Sequence, residues 1–208
     1  KNMLRLRGCL GIGHVRYPTA GSYDAAEAQP FFVNSPFGIA LIHNGNLTNY
    51  DELKEEVLKK DLRYLNTKSD SELLLNIVAQ SVRDMLRSKK IDTYAITPEI
   101  LFASMEVVFK RLKGSYSVIA MIAGYGLMAF RDPYGIRPLS FGTRKSAILP
   151  EYIFASESVT LDTLGYDLVS DVQPGEVVFI DMKRVIHRKQ VVKKHWAPCI
   201  FEHVYIAR

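Results

Sequence analysis

Three short groups of residues carry side chains suited to chemistry on a free amino acid. The first is Gly13-His14-Val15-Arg16-Tyr17-Pro18-Thr19-Ala20-Gly21. A guanidinium grips a carboxylate through two parallel hydrogen bonds, and a neighbouring hydroxyl can add another. Arg16 and Thr19 are therefore candidates for holding an α-carboxylate. The second is His43-Asn44-Gly45-Asn46. The side-chain amide of Asn44 and the backbone N–H of Gly45 can point into one pocket as an oxyanion hole, each donor worth about 3 kcal/mol in acyl transfer. The third is Ser69-Asp70-Ser71-Glu72 at an expected helix start, where Asp70 can receive an ammonium group. Each group also has a plainer reading: Arg16 in a structural ion pair, Asn44-Gly45 as a simple turn, Asp70 as an acid suited to the helix dipole. Jointly they are the parts needed to hold free glutamine and hydrolyse its side-chain amide.

The elements that must position these groups can be read from pattern. Leu10 to Val15 reads as a strand leading into a polar turn, and Gly38 to His43 as a short apolar strand ended by Asn44-Gly45. Asn49 with Glu52 has the form of a capping box, and Tyr50 to Lys60 follows as a helix. Ser69 and Glu72 repeat that signature, and Leu73, Leu74, Ile77, Val78 and Val82 keep helical spacing to about Arg87. Thr97 caps a third helix with Pro98 at its first position, stopped at Gly114. Beyond it, Ser115–Ala123, Gly126–Arg131, Pro138–Gly142, Tyr152–Ser156 and Glu176–Ile180 read as strands. A turn at Asp132-Pro133-Tyr134-Gly135 and a short helix near Ser158 to Leu164 lie among them. Strands at both ends with helices between them favour an α+β layering.

Composition bounds the class. Of 208 residues, 48% are hydrophobic and 24% charged, which excludes a disordered chain, a collagen-like repeat and a disulfide scaffold. Only Cys9 and Cys199 are present, so no cysteine-rich zinc site can form and a reducing compartment is expected. The longest apolar run, Val118 to Phe130, is too short for a membrane span and contains Gly124 and Gly126. The formal charge of +5 resides in one segment: from Asp181 to His195 stand Lys183, Arg184, Arg188, Lys189, Lys193 and Lys194 against the single acid Asp181. They alternate with Val185, Ile186, Val191 and Val192, the pattern of a solvated hairpin, and no zinc-finger or aromatic RNA-binding signature accompanies them. Neither a nucleic acid nor a membrane is an expected partner.

The order and spacing of G-H-V-R-Y-P-T-A-G, H-N-G-N and S-D-S-E-L-L-L resemble the glutaminase domain of the N-terminal-nucleophile, or class II, glutamine amidotransferases. Phe130 to Leu139 (F-R-D-P-Y-G-I-R-P-L), Ala155 to Ser158, Val172 to Glu176 and Phe201 to Arg208 are similar, within that group, to the glutamine phosphoribosylpyrophosphate amidotransferases. The resemblance covers nearly the whole chain. It implies a four-layer αββα sandwich of the Ntn-hydrolase type, incomplete at its N-terminus, with the glutaminase domain over residues 1–198. Residues 199–208 would begin the connection to a phosphoribosyltransferase domain. It further implies that Arg16 and Thr19 bind the α-carboxylate of glutamine, that Asp70 holds its α-ammonium, and that Asn44 and Gly45 form the oxyanion hole. The ammonia released would go to phosphoribosylpyrophosphate, giving phosphoribosylamine in the first committed step of purine synthesis. The same resemblance implies a cytoplasmic homotetramer, no cofactor in this chain, and Mg2+ in the phosphoribosyltransferase domain.

The sequence departs from the family pattern in two places. The nucleophile of the family is a cysteine at the mature N-terminus whose own α-amine, with an ordinary pKa of about 8, serves as base. Here Lys1 stands first, and Cys9 lies only seven residues before Arg16, where it reads as a core thiol; the chain as given is expected to be inactive. No acid pair with a Gly/Thr phosphate loop occurs, so Val177 to Asp181 reads as an ordinary strand of the glutaminase half. Some members hold a 4Fe–4S cluster with a cysteine at the place of Cys199, although such a cluster takes four thiolates. Two other readings stay open: the glutaminase half of a different class II amidotransferase, and a binding or regulatory module without a nucleophile.

Overall fold

The structure is a computed structural model of the chain and describes residues 8–15, 25–89, 96–147, 149–201 and 204. A 3-10 turn at Ala25–Glu27 precedes β1 (Phe31–Val33) and β2 (Ile39–Leu47). Three helices follow: α1 (Tyr50–Lys59), α2 (Asp70–Ser88) and α3 (Pro98–Arg111). Then come β3 (Gly114–Ile122), β4 (Gly126–Arg131), β5 (Ser140–Arg144), β6 (Glu151–Ala155), α4 (Ser158–Leu164), β7 (Asp167–Asp171), β8 (Glu176–Asp181) and β9 (Ile186–Gln190). Strands β1-β2-β3-β4-β8-β9 form one antiparallel sheet in that order, and β6-β5-β7 form a second.

Strand alternation makes the large sheet apolar on both faces. Val118, Ala120 and Ile122 of β3, Met128 and Phe130 of β4, and Val177 and Phe179 of β8 face a core shared with the three long helices. The intervening Leu127, Ala129, Val178 and Ile180 face a second core with Leu139, Phe141, Phe154 and Val172 of the small sheet region. On the outer face of the small sheet, Leu161 of α4 is fully buried and lies against Gly142, where any Cβ would meet its side chain. The layers are therefore helices, sheet, sheet, helix: the expected α+β, αββα sandwich. Among the described residues no helix is long and apolar enough to cross a membrane.

The second helix is the axis of the helical layer. Leu73, Leu74, Leu75, Ile77, Val78, Ala79 and Val82 are all fully buried, so α2 is enclosed by the sheet and its neighbours. Each of the buried Leu, Ile and Val side chains contributes about 1.5–3 kcal/mol on leaving water. Two of its buried polar positions are paired: Arg63 donates to the side-chain oxygens of Asn76 (3.1 Å) and Gln80 (3.1 Å).

Several expectations are corrected. Leu10 to Val15 is not a strand: among the described residues no strand pairs with it. Cys9, just before that stretch, is an exposed thiol rather than a core one. Asn44-Gly45 does not end β2, which runs on to Leu47 because β3 pairs with it along its whole length. The side chain of Asn49 does not cap α1; it donates to Arg111 O (3.0 Å) and accepts from Lys113 N (3.1 Å), fastening the end of α3 instead. Gly114 begins β3 rather than stopping α3, whose cap is Leu112. The caps at Ser69 and Thr97 are as read: Ser69 Oγ accepts from Ser71 N (3.3 Å) and Thr97 Oγ1 from Ile100 N (3.4 Å). Strands β1 and β7 carried no clear sequence signal, being short and, for β7, largely exposed.

The basic segment forms the β8–β9 hairpin. Arg188 pairs with Glu176 (2.7 Å), Lys189 with Glu106 (2.9 Å), and Arg184 donates to the carbonyls of Leu149 (3.1 Å) and Pro150 (2.7 Å). Much of its charge is thus engaged within the molecule.

Candidate functional site

The site is built where β2 outruns its neighbour. Strand β1 pairs with β2 only from Ile39 to Leu41, whereas β3 accompanies the other edge through Leu47. Among the described residues, 43–47 therefore present a strand edge that no strand covers. On a strand, the N–H groups of every second residue point to the same edge. His43 and Leu47 identify which edge this is: His43 N donates to Gln29 Oε1 (2.6 Å) and Leu47 N to Asp70 Oδ2 (3.1 Å). The N–H of Gly45 lies between them in that row.

Gly45 is glycine for two physical reasons. Its φ is 153°, and a Cβ there would lie 2.0 Å from Ser115 O on β3 and 2.7 Å from His43 Nε2. The strand can pass at this distance from β3 only without a side chain. Asn44, opposite Ser117, is half-buried beside it.

Asp70 opens α2 and faces the same segment. Its Oδ2 accepts from Leu47 N, its Oδ1 accepts from Ser71 Oγ (3.4 Å), and His43 Nδ1 lies 3.6 Å from Oδ1. His43 Nδ1 is also 3.1 Å from Ser71 Oγ. The His43 side chain is 1% exposed and that of Asp70 23% exposed, so the carboxylate keeps one open edge while the imidazole has none. Burial pushes the Asp70 carboxyl upward, but hydrogen bonding and charge from His43, with the bonds from Leu47 and Ser71, outweigh it and hold the group below its ordinary value. The N–H groups at the start of α2 add to the preference for an anion there. Glu72, three positions after Ser69, does not close a capping box. It is buried and accepts from Asn66 N (2.8 Å), Thr67 N (2.7 Å) and Thr67 Oγ1 (2.7 Å), shaping the loop that delivers Asp70.

Of the residues read from the sequence, Asn44, Gly45 and Asp70 are brought together, and Arg16 and Thr19 lie outside the described residues. Cys199 is a free, half-buried thiol, and among the described residues no three metal-ligating side chains are gathered. A 4Fe–4S cluster takes four thiolates, and Cys199 could supply one of them. Sequence reasoning missed Gln29, His43 and Ser71. His43 adjoined the quoted pair and Ser71 lay inside the quoted helix start, but their mutual contact depends on how β2 meets α2. Gln29 carried no signal at all.

Residues 15–163 match the glutamine amidotransferase domain family. The chain is 50% identical over 208 residues to an amidophosphoribosyltransferase of Pasteurella multocida and 52% identical over 211 residues to one of Pseudomonas aeruginosa. In each case the whole chain is covered, against 40% of the relative, so the chain spans about two-fifths of the length of these curated relatives. Among solved structures, a glutamine phosphoribosylpyrophosphate amidotransferase of B. subtilis complexed with ADP and GMP superposes with a TM-score of 0.70 at 28% identity. That match covers 94% of this chain and 38% of the other.

Two outcomes follow from the geometry. Gly45→Ala strains both φ and the contact with Ser115, and should destabilise the fold by about 2–3 kcal/mol in chemical denaturation; an unchanged midpoint would contradict the close approach. Asp70 contributes stability above its unfolded pKa of about 4 that is lost as pH falls through its lower folded value. The stability gap between the wild type and Asp70→Asn should therefore be largest near neutrality and shrink below about pH 4. A gap independent of pH would contradict the ionised, hydrogen-bonded carboxylate. With its sandwich of two sheets between helices, its Asn-Gly strand edge and the match over residues 15–163, the chain belongs to the glutamine amidotransferase domain family.

Proposed function

We propose that this chain is the glutaminase part of an amidophosphoribosyltransferase, hydrolysing glutamine to glutamate and ammonia for the formation of phosphoribosylamine from phosphoribosylpyrophosphate. The observation that carries this reading is the strand edge at residues 43–47, where the Gly45 N–H lies between two N–H groups already engaged by Gln29 and Asp70. Asn44 Nδ2 and Gly45 N would donate to the carbonyl oxygen of the substrate amide as it becomes an oxyanion. Asp70, ionised and open on one edge, would take the α-ammonium. Arg16 and Thr19 would hold the α-carboxylate, which fixes glutamine at its far end and aligns the amide. Asn44, Gly45 and Asp70 bind and polarise; the attacking group is a cysteine thiolate by the pattern of the family.

Attack on the amide carbon forms a tetrahedral oxyanion, whose collapse with protonation of the nitrogen releases ammonia and leaves a thioester. Water then attacks the thioester through a second oxyanion at the same two donors, giving glutamate. Ammonia would be passed to a phosphoribosyltransferase domain, where it displaces pyrophosphate. The close similarity over the whole chain to amidophosphoribosyltransferases favours this acceptor over that of another class II enzyme. Two free cysteines and no disulfide among the described residues support a cytoplasmic setting. A homo-oligomer is part of the same proposal by the pattern of the family.

The test is calorimetric. L-glutamine should bind the chain, and Asp70→Asn should weaken it at least about tenfold, the loss of one charge-assisted contact. Glutaramate, which lacks the α-ammonium, should bind wild type and variant alike. Equal effects on both ligands, or no binding of glutamine by the wild type, would overturn the assignment.

A further inference from the structure

Gln29 stands in the loop before β1, and its carboxamide makes three hydrogen bonds. Its Oε1 accepts from His43 N (2.6 Å), and its Nε2 donates to His43 O (3.1 Å) and to Ser71 Oγ (3.2 Å). The first two are the bonds that a paired strand residue would make, so one side chain replaces β1 at the point where β1 stops covering β2. The donor and acceptor ends of the carboxamide are fixed by what they face: an N–H on one side, a carbonyl on the other.

We infer that Gln29, acting with His43 and Ser71, is a positioning residue that sets the orientation of the Asn44-Gly45 oxyanion donors. The inference rests on the reading of that pair given above. The carbonyl of His43 belongs to the peptide unit that leads into Asn44, so holding it fixes the plane from which the Asn44 side chain and then the Gly45 N–H depart. Leu47 N on Asp70 Oδ2 holds the other end of the segment. The link between the two ends is the imidazole of His43, which reaches Ser71 Oγ and approaches Asp70 from a fully buried position. The two donors and the ammonium-binding carboxylate are thereby held in one frame. This matters because a misplacement of about 1 Å at a reacting group can cost on the order of 100-fold in rate, and an oxyanion donor acts chiefly in the transition state.

The test is Gln29→Met, which keeps the volume and removes all three bonds, in the full-length protein. Glutamine hydrolysis should show kcat reduced at least about tenfold with KM within about threefold, the signature of an interaction realised in the transition state. A side chain that merely filled space would leave kcat unchanged, and a residue that merely bound substrate would raise KM alone; either result would overturn the inference. A readout independent of turnover is amide hydrogen exchange at His43 in the 208-residue chain, which should accelerate in Gln29→Met and in Gln29→Ala. Unchanged exchange would also overturn it. Failure of the wild-type protein to hydrolyse glutamine would instead overturn the glutaminase reading and leave the exchange result standing by itself.

Discussion

A strand edge cannot be left both buried and unpaired. Between His43 and Leu47 the edge of β2 has lost β1, and the molecule resolves this with two side chains in place of a strand. Gln29 takes the peptide groups of His43, and Asp70 takes the N–H of Leu47. Between them lies the backbone N–H of Gly45, on the same edge of the strand. The demand that buried backbone groups be paired is thus met at both ends of the segment by side chains, and the layers behind it serve to keep that edge in place.

The support comes from both directions. On the far side, β3 approaches β2 so closely at Gly45 that a Cβ would strike Ser115 O. On the near side, the buried apolar faces of α2 fix the helix start from which Asp70 and Ser71 project, and Glu72 shapes the preceding loop. A charge at Asp70 is stabilised by hydrogen bonds and by the helix terminus together, which keeps it ionised despite its partial burial. Both oxygens of this carboxylate are engaged within the protein, Oδ2 by Leu47 N and Oδ1 by Ser71 Oγ, and its side chain stays 23% exposed.

The sequence made the layering and the long helices legible because their signals are local. Thr97-Pro98 and Ser69 start helices where their side chains and φ preferences place them, and the alternating apolar runs of β3, β4 and β8 announce a sheet buried on both faces. Asn44, Gly45 and Asp70 stood out as candidates through their types and order. The turn reading of Asn44-Gly45 failed because tertiary pairing with β3 overrides a dipeptide preference, and the capping box at Asn49 failed because the α3–β3 connection offered its side chain better partners. Gln29 was illegible for a deeper reason. Its bonds span 14 residues to His43 and 42 to Ser71, and no periodicity or local motif encodes a contact of that kind.

The central claim is that the Gly45 N–H and the Asn44 amide form one oxyanion hole in register with Asp70. A high-resolution structure of the chain with L-glutamine bound tests it most directly. The account predicts the side-chain carbonyl oxygen within about 2.7–3.1 Å of both Asn44 Nδ2 and Gly45 N, with the α-ammonium against the open edge of Asp70. Glutamine bound with its carbonyl away from this strand edge, or with its ammonium facing another acid, would contradict it.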